Sequence, residues 1–121
     1  MKRKAPTAAQ KRFHDMACSD GCIIPGCGAP ARLHHCVGAS AKHNKVEIGQ
    51  WWVLPLCDDH HQHGPAAVHV SPVEFAGLLS LESRKQAEKY LFSALLTRLA
   101  TDGRDGAVPI NVMEAIEGYS R

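Results

Sequence analysis

Apolar side chains in this chain recur with two different periods, and turn-forming residues mark where one period gives way to the other. In the longest regular stretch, Ala87, Leu91, Ala94, Leu95 and Leu99 follow one another at helical spacing, while Arg84, Lys85, Glu88, Lys89 and Arg98 occupy the other faces. That pattern predicts an amphipathic helix stopped at Thr101-Asp102-Gly103. Ser71-Pro72-Val73-Glu74 predicts another helix start, with Ser71 as N-cap, Pro72 in the first helical position and Glu74 completing the box. Thr7-Ala8-Ala9-Gln10 has a similar form and opens a short helix over 8–18 that ends near Ser19-Asp20-Gly21. One or two further helical turns, with no chemistry attached, are expected over 111–117.

The middle of the chain is patterned for strands and turns. Residues 51–56 are apolar and β-rich, with Pro55 limiting the strand's end, and residues 31–36 suit a short strand that carries His34 and His35. Between them, residues 37–50 include Gly38, Lys42, His43, Asn44, Lys45 and Gly49 and read as a polar surface loop. Cys22-Ile23-Ile24-Pro25-Gly26-Cys27-Gly28 has the composition of a tight loop that turns two thiols toward one point. Cys57-Asp58-Asp59-His60-His61-Gln62-His63 opens a short helix stopped by Gly64-Pro65.

Length and composition narrow the class. A chain of 121 residues, 45% of them hydrophobic, fits one compact domain with extensions. No apolar run approaches the ~20 residues of a membrane span. The start, Met-Lys-Arg-Lys-Ala-Pro, is basic without a following apolar stretch, so it does not read as a signal peptide and a soluble, cytoplasmic protein is expected. The net charge of +2 is too small to imply a partner, but residues 1–12 hold five Lys/Arg and no acid. Such an arm attracts phosphate by counterion release, and a solvated terminus is an equally good reading.

In a reducing compartment five cysteines, an odd number, point to metal rather than to disulfides. All eight histidines fall between His14 and His69. Cys22-x4-Cys27 and Cys57-x2-His60 form two ligand pairs separated by about thirty residues, the arrangement by which structural zinc takes four soft ligands. A small domain gains from that staple because its apolar core alone is marginal. Cys18, at Cys18-x3-Cys22, is an alternative ligand, Cys36 reads as a small buried hydrophobe, and a set of free buried cysteines with a surface histidine is the bland alternative.

Removing His60 leaves His34, His35, His61, His63 and His69 as further candidates. Neighbours on a strand point to opposite faces, so one of His34 and His35 can bind an ion while the other faces substrate. Neighbours on a helix differ by about 100°, so His60 can face the zinc and His61 a separate site. His63, His14 and His43 read as exposed polar residues. The Trp51-Trp52 pair reads as core in preference to a base-stacking platform.

The ordered combination of the Cys pair, His34-His35, Leu54-Pro55-Leu56-Cys57-Asp58-Asp59-His60-His61 and Val68-His69 resembles the HNH nucleases, most nearly the RecA-dependent nucleases of the phage recombination-enhancement (Ref) type. The resemblance covers residues 11–77 approximately. It implies an α+β fold, a small zinc-stapled ββα-metal domain over 21–77, flanked by a basic arm and helix over 1–20 and by an amphipathic helix and tail over 78–121. Carried over, His35 is the general base, and His34, His61 and His69 hold a catalytic ion, Mg2+ or Mn2+ with Zn2+ as an occupant. Cys22, Cys27, Cys57 and His60 hold the structural zinc. The middle Asn of many HNH motifs has no counterpart near Trp52 or Val53, and spacing gives Asn44 no support in that role.

The implied activity is DNA phosphodiester hydrolysis of low sequence specificity, in recombination or repair, with targeting supplied by a RecA filament. Lys42 and Lys45 flank the catalytic strand and are placed to touch phosphates, or else are solvated loop residues. The alternative is a non-catalytic zinc module for nucleic acid or protein, which leaves His34, His35, His61 and His69 unexplained. A zinc hydrolase with another substrate is disfavoured by the absence of a His-Glu-x-x-His signature.

Overall fold

Thr7 caps the first helix through both halves of the expected box: its hydroxyl accepts from the Gln10 N–H at 3.1 Å, and the Gln10 side chain accepts from the Thr7 N–H at 2.8 Å. The computed structural model describes residues 5–37, 42–43 (backbone alone), 46–103 and 107–119. Within them α1 (Ala8–Ser19) leads through the cysteine turn into β1 (Arg32–His35), followed by β2 (Lys42–His43), β3 (Val46–Glu47), a 3-10 turn (Gly49–Trp51) and β4 (Val53–Leu56). A π-helical turn (Asp59–His63), α2 (Pro72–Gly77), α3 (Arg84–Thr101) and α4 (Ile110–Gly118) complete the small mixed α/β fold. No helix among the described residues is long and apolar enough to cross a membrane.

β1 and β4 pair antiparallel, with His34 opposite Leu54 and His35 opposite Val53. Pro55 lies inside β4 rather than at its limit. A two-stranded sheet has only edge strands, where a residue without an N–H is tolerated, and the Pro55 carbonyl accepts from the Ile23 N–H at 2.9 Å. The segment expected to be a polar loop also differs. It holds the two-residue ladder of β2 and β3, and Ile48 and Gln50 are buried beneath it. Ile48, with Val46 packed beside the core, draws the chain inward without leaving a periodic signal.

The helices pack on this hairpin. Ser83 caps α3 with a full box to Gln86, and Ala87, Leu91, Leu95 and Leu99 form its buried face as their spacing predicts. The last turn of α1 is tied to α3 by Arg98, whose guanidinium donates to the Ala17 and Gly21 carbonyls at 3.1 Å each. One cluster of buried side chains runs from Phe13 to Ile116, so both flanking segments share a core with the central hairpin. Phe13 meets Trp51 and Phe92 at ring-centroid distances of 5.8 and 6.3 Å, and Trp52 is fully buried, which confirms the core reading of the tryptophan pair.

Gly64 closes the π-helical turn through a hydrogen bond from its N–H to the Asp59 carbonyl at 3.0 Å. A Cβ on Gly64 would stand 2.3 Å from that same carbonyl oxygen, so the conflict is with backbone and cannot be relieved by a side chain moving aside. Gly64→Ala is therefore expected to open the turn and lower stability by about 2–3 kcal/mol in urea melts, the range of backbone-strain substitutions. A melt superimposable on the wild type's would show that the turn does not depend on this close approach.

Candidate metal centres

Three groups of ligand atoms converge among the described residues: two take a ligand each from the same helical turn, and the third, His34 with Cys36 and Glu88, is wholly buried. The first joins Cys22, Cys27, Cys57 and His60, whose ligating atoms all lie within 4.8 Å of one another. Gly26 adopts the left-handed region (φ +81°) to reverse the chain between Cys22 and Cys27. The Cys22 N–H bonds the Ala29 carbonyl at 2.8 Å and the Cys27 N–H the Ile24 carbonyl at 3.0 Å. Cys57 ends the β4 hairpin, and its carbonyl accepts from the His60 and His61 N–H groups, which sets His60 one turn further on.

Around zinc, with Zn–S of about 2.3 Å and Zn–N of about 2.0–2.1 Å, ligand atoms stand about 3.6–3.8 Å apart. Here Cys27 Sγ lies 3.7 Å from Cys57 Sγ, Cys22 Sγ 3.5 Å from His60 Nδ1, and Cys57 Sγ 3.1 Å from His60 Nδ1. Two edges match the tetrahedron, and the third is short by about half an ångström. Burial pushes the Cys22 thiol up to about 12, whereas a hydrogen bond from the Ala29 backbone draws Cys27 down. Holding Cys22 as a thiolate thus calls for a cation, and a Cys3His set suits structural zinc. Cys18 is half-buried and outside the group, so the expected pair Cys22 and Cys27 stands, and Cys36 is buried as expected of a small hydrophobe.

The second group joins His34, His61 and His69. His34 reaches it from the inward face of β1, and His61 from the π-helical turn. His69 arrives because the chain doubles back after Gly64. The Val68 and His69 N–H groups bond the His60 and His61 carbonyls at 2.9 and 3.1 Å. The three rings are mutually 4.8–5.1 Å apart between centroids. His34 is buried, His61 half-buried and His69 exposed, so the group opens to solvent on one side. Burial, helped by the neighbouring rings, lowers His61 to about 4 and lowers His69. Both are neutral near pH 7, the state a ligand needs.

His34 Nδ1 is buried and has no hydrogen-bond partner among the described residues. An orphaned imidazole nitrogen beside two further neutral imidazoles fits a metal ion, and three protein ligands with an open side is the arrangement of catalytic rather than structural sites.

His35 is not among the converging ligands. Strand alternation turns it away from His34, toward Gln50 and His14: its Nε2 lies 2.7 Å from Gln50 Oε1, and its ring 6.4 Å from that of His14. His14, expected to be exposed, is half-buried, and its Nε2–H donates to the Gln50 carbonyl at 2.7 Å. It is held there because α1 lays that face against the Gly49–Trp51 turn. Trp52 and Val53, where a middle Asn was sought, are fully buried core residues, and the polar group beside His35 is the Gln50 amide. Glu88, assigned to a polar helix face, is likewise fully buried and bonded to His34. His63 is exposed and paired with Asp58. Asn44, Lys45 and the Lys42 and His43 side chains lie outside the described residues, as does the start of the basic arm.

No protein-family model, no curated protein and no solved structure matches this chain.

Proposed function

We propose that the chain is a small metal-dependent endonuclease of the HNH type, cutting DNA phosphodiester bonds with little sequence preference. The observation that carries this reading is the division of labour between His60 and His61. One completes a closed Cys3His group and the next joins an open three-histidine group. A zinc module needs only the first, whereas phosphodiester hydrolysis needs the second. The succession of β1, β4 and a helical turn bearing the last ligands also agrees with a ββα-metal element.

His34, His61 and His69 would hold the catalytic ion, which supplies charge stabilisation at the scissile phosphate and the departing 3′ oxygen. Three imidazoles with no direct carboxylate favour a transition ion such as Zn2+ over Mg2+, which prefers oxygen ligands. The family resemblance gives His35 the general-base role, in which it would take a proton from the attacking water; its ring lies on the other face of the strand from His34, bonded to the Gln50 amide. With no helix patterned for base readout, targeting falls to a partner, and a RecA–DNA filament is the partner the family resemblance proposes. Lys42 and Lys45 enter the same proposal as phosphate contacts.

The test is nicking of supercoiled plasmid and of single strands, with and without a RecA filament, in Zn2+, Mn2+ or Mg2+. Wild type should nick in at least one ion, and His61→Ala should lose at least ~10²-fold in rate. Absence of nicking by the wild type under every condition would favour the alternative, a non-catalytic zinc module.

A further inference from the structure

Glu88 lies in the second turn of α3 among its buried apolar residues, itself fully buried, where a leucine would carry no desolvation cost. Its carboxylate is fully engaged. Oε1 accepts the Val37 N–H at 2.8 Å, and Oε2 accepts from Arg84 Nε at 3.0 Å and from His34 Nε2 at 2.5 Å. His34 itself is 1% exposed, and its other ring nitrogen is the orphan described above.

We propose that Glu88 is the positioning residue of the three-histidine site, holding His34 in the Nε2–H tautomer so that Nδ1 presents its lone pair to an ion shared with His61 and His69. The inference rests on the reading that these three histidines share an ion. A neutral imidazole carries one proton, and the nitrogen that keeps it is set by the partner of that nitrogen. Only an acceptor can hold the proton on Nε2, and Glu88 is the acceptor there. The carboxylate also makes the ring a more basic ligand. Its bond to the Val37 N–H fixes the backbone just beyond β1, and so the direction in which the His34–His35 end of the strand leaves the sheet. Helix α3, 54 residues further along the chain from His34, thereby becomes part of the metal site rather than a flank to it.

The test uses the full chain with its Cys3His site loaded with zinc. A second equivalent of Zn2+ is then titrated calorimetrically into wild type, Glu88→Gln and His61→Ala. Wild type should bind it, His61→Ala should not, and Glu88→Gln should bind it about 10–100-fold more weakly, the usual effect of removing such a partner. The first zinc and the circular dichroism of Glu88→Gln should be unchanged. Equal second-site affinity in wild type and Glu88→Gln overturns the role of Glu88 alone. Failure of the wild type to bind a second zinc overturns the three-histidine reading instead. Should Glu88→Gln fail to fold, 15N spectra of the wild-type imidazoles before the second ion is added decide the matter: a protonated Nε2 on His34 supports the proposal, and a protonated Nδ1 defeats it.

Discussion

Cys57→Ser should abolish the cooperative thermal transition, and a strong chelator added to the wild type should do the same. Cys57 Sγ stands against both Cys27 and His60, and its backbone carbonyl starts the turn that carries the ligands of both centres. Apparent binding free energies of structural zinc are about 10–16 kcal/mol at neutral pH. The net stability of a domain this size is about 5–15 kcal/mol, so losing the ion removes a quantity as large as the whole margin. Serine preserves the backbone and the volume but supplies no thiolate. Far-UV circular dichroism and zinc content measured on the same sample check the expectation. A folded, zinc-free protein would sink the structural role of the Cys3His group.

His35→Ala should reduce nicking about 10²–10⁴-fold while leaving both ions bound, since general bases contribute that much and His35 is not one of the converging ligands. The fold should survive. The loss includes the side-chain hydrogen bond to the largely buried Gln50 amide, of about 1–3 kcal/mol. Rates measured with ion content and melting temperature on the same preparations separate the two effects. Undiminished nicking by the variant would remove His35 from the chemistry and leave the metal site to account for hydrolysis by itself.

Features written in local sequence were the ones that could be read before folding. Thr7 with Gln10 announces a capping box, and Ala87, Leu91, Leu95 and Leu99 announce a helix face, because both signals act within four residues of themselves. The ligand pairs Cys22/Cys27 and Cys57/His60 were legible for the same reason, since each pair is held on a single turn. Glu88 was not. A glutamate four residues after Arg84 looks like a surface ion pair, and only the packing of α3 against β4, the partner strand of β1, shows that its carboxylate is buried against His34. Gln50 and His14 were missed for a related reason. Their contact spans 36 residues of chain and involves a backbone carbonyl, which no residue type advertises. The choice between Cys18 and Cys27 also needed three dimensions, because spacing permits either and only the Gly26 reversal brings Cys27 round to Cys57.

Because His60 and His61 are consecutive on one helical turn, ions held at the two candidate groups would be thermodynamically coupled. Whatever fixes the rotation of that turn for one ligand fixes it for the next, so an ion at either group would prepare the other. The preference must be reciprocal, because linked binding free energies are equal in both directions. Assembly then has a natural order. The closed group, with three sulfur ligands, would fill first and pre-organise the open one, so that under the proposed function the reactive site would follow the shape.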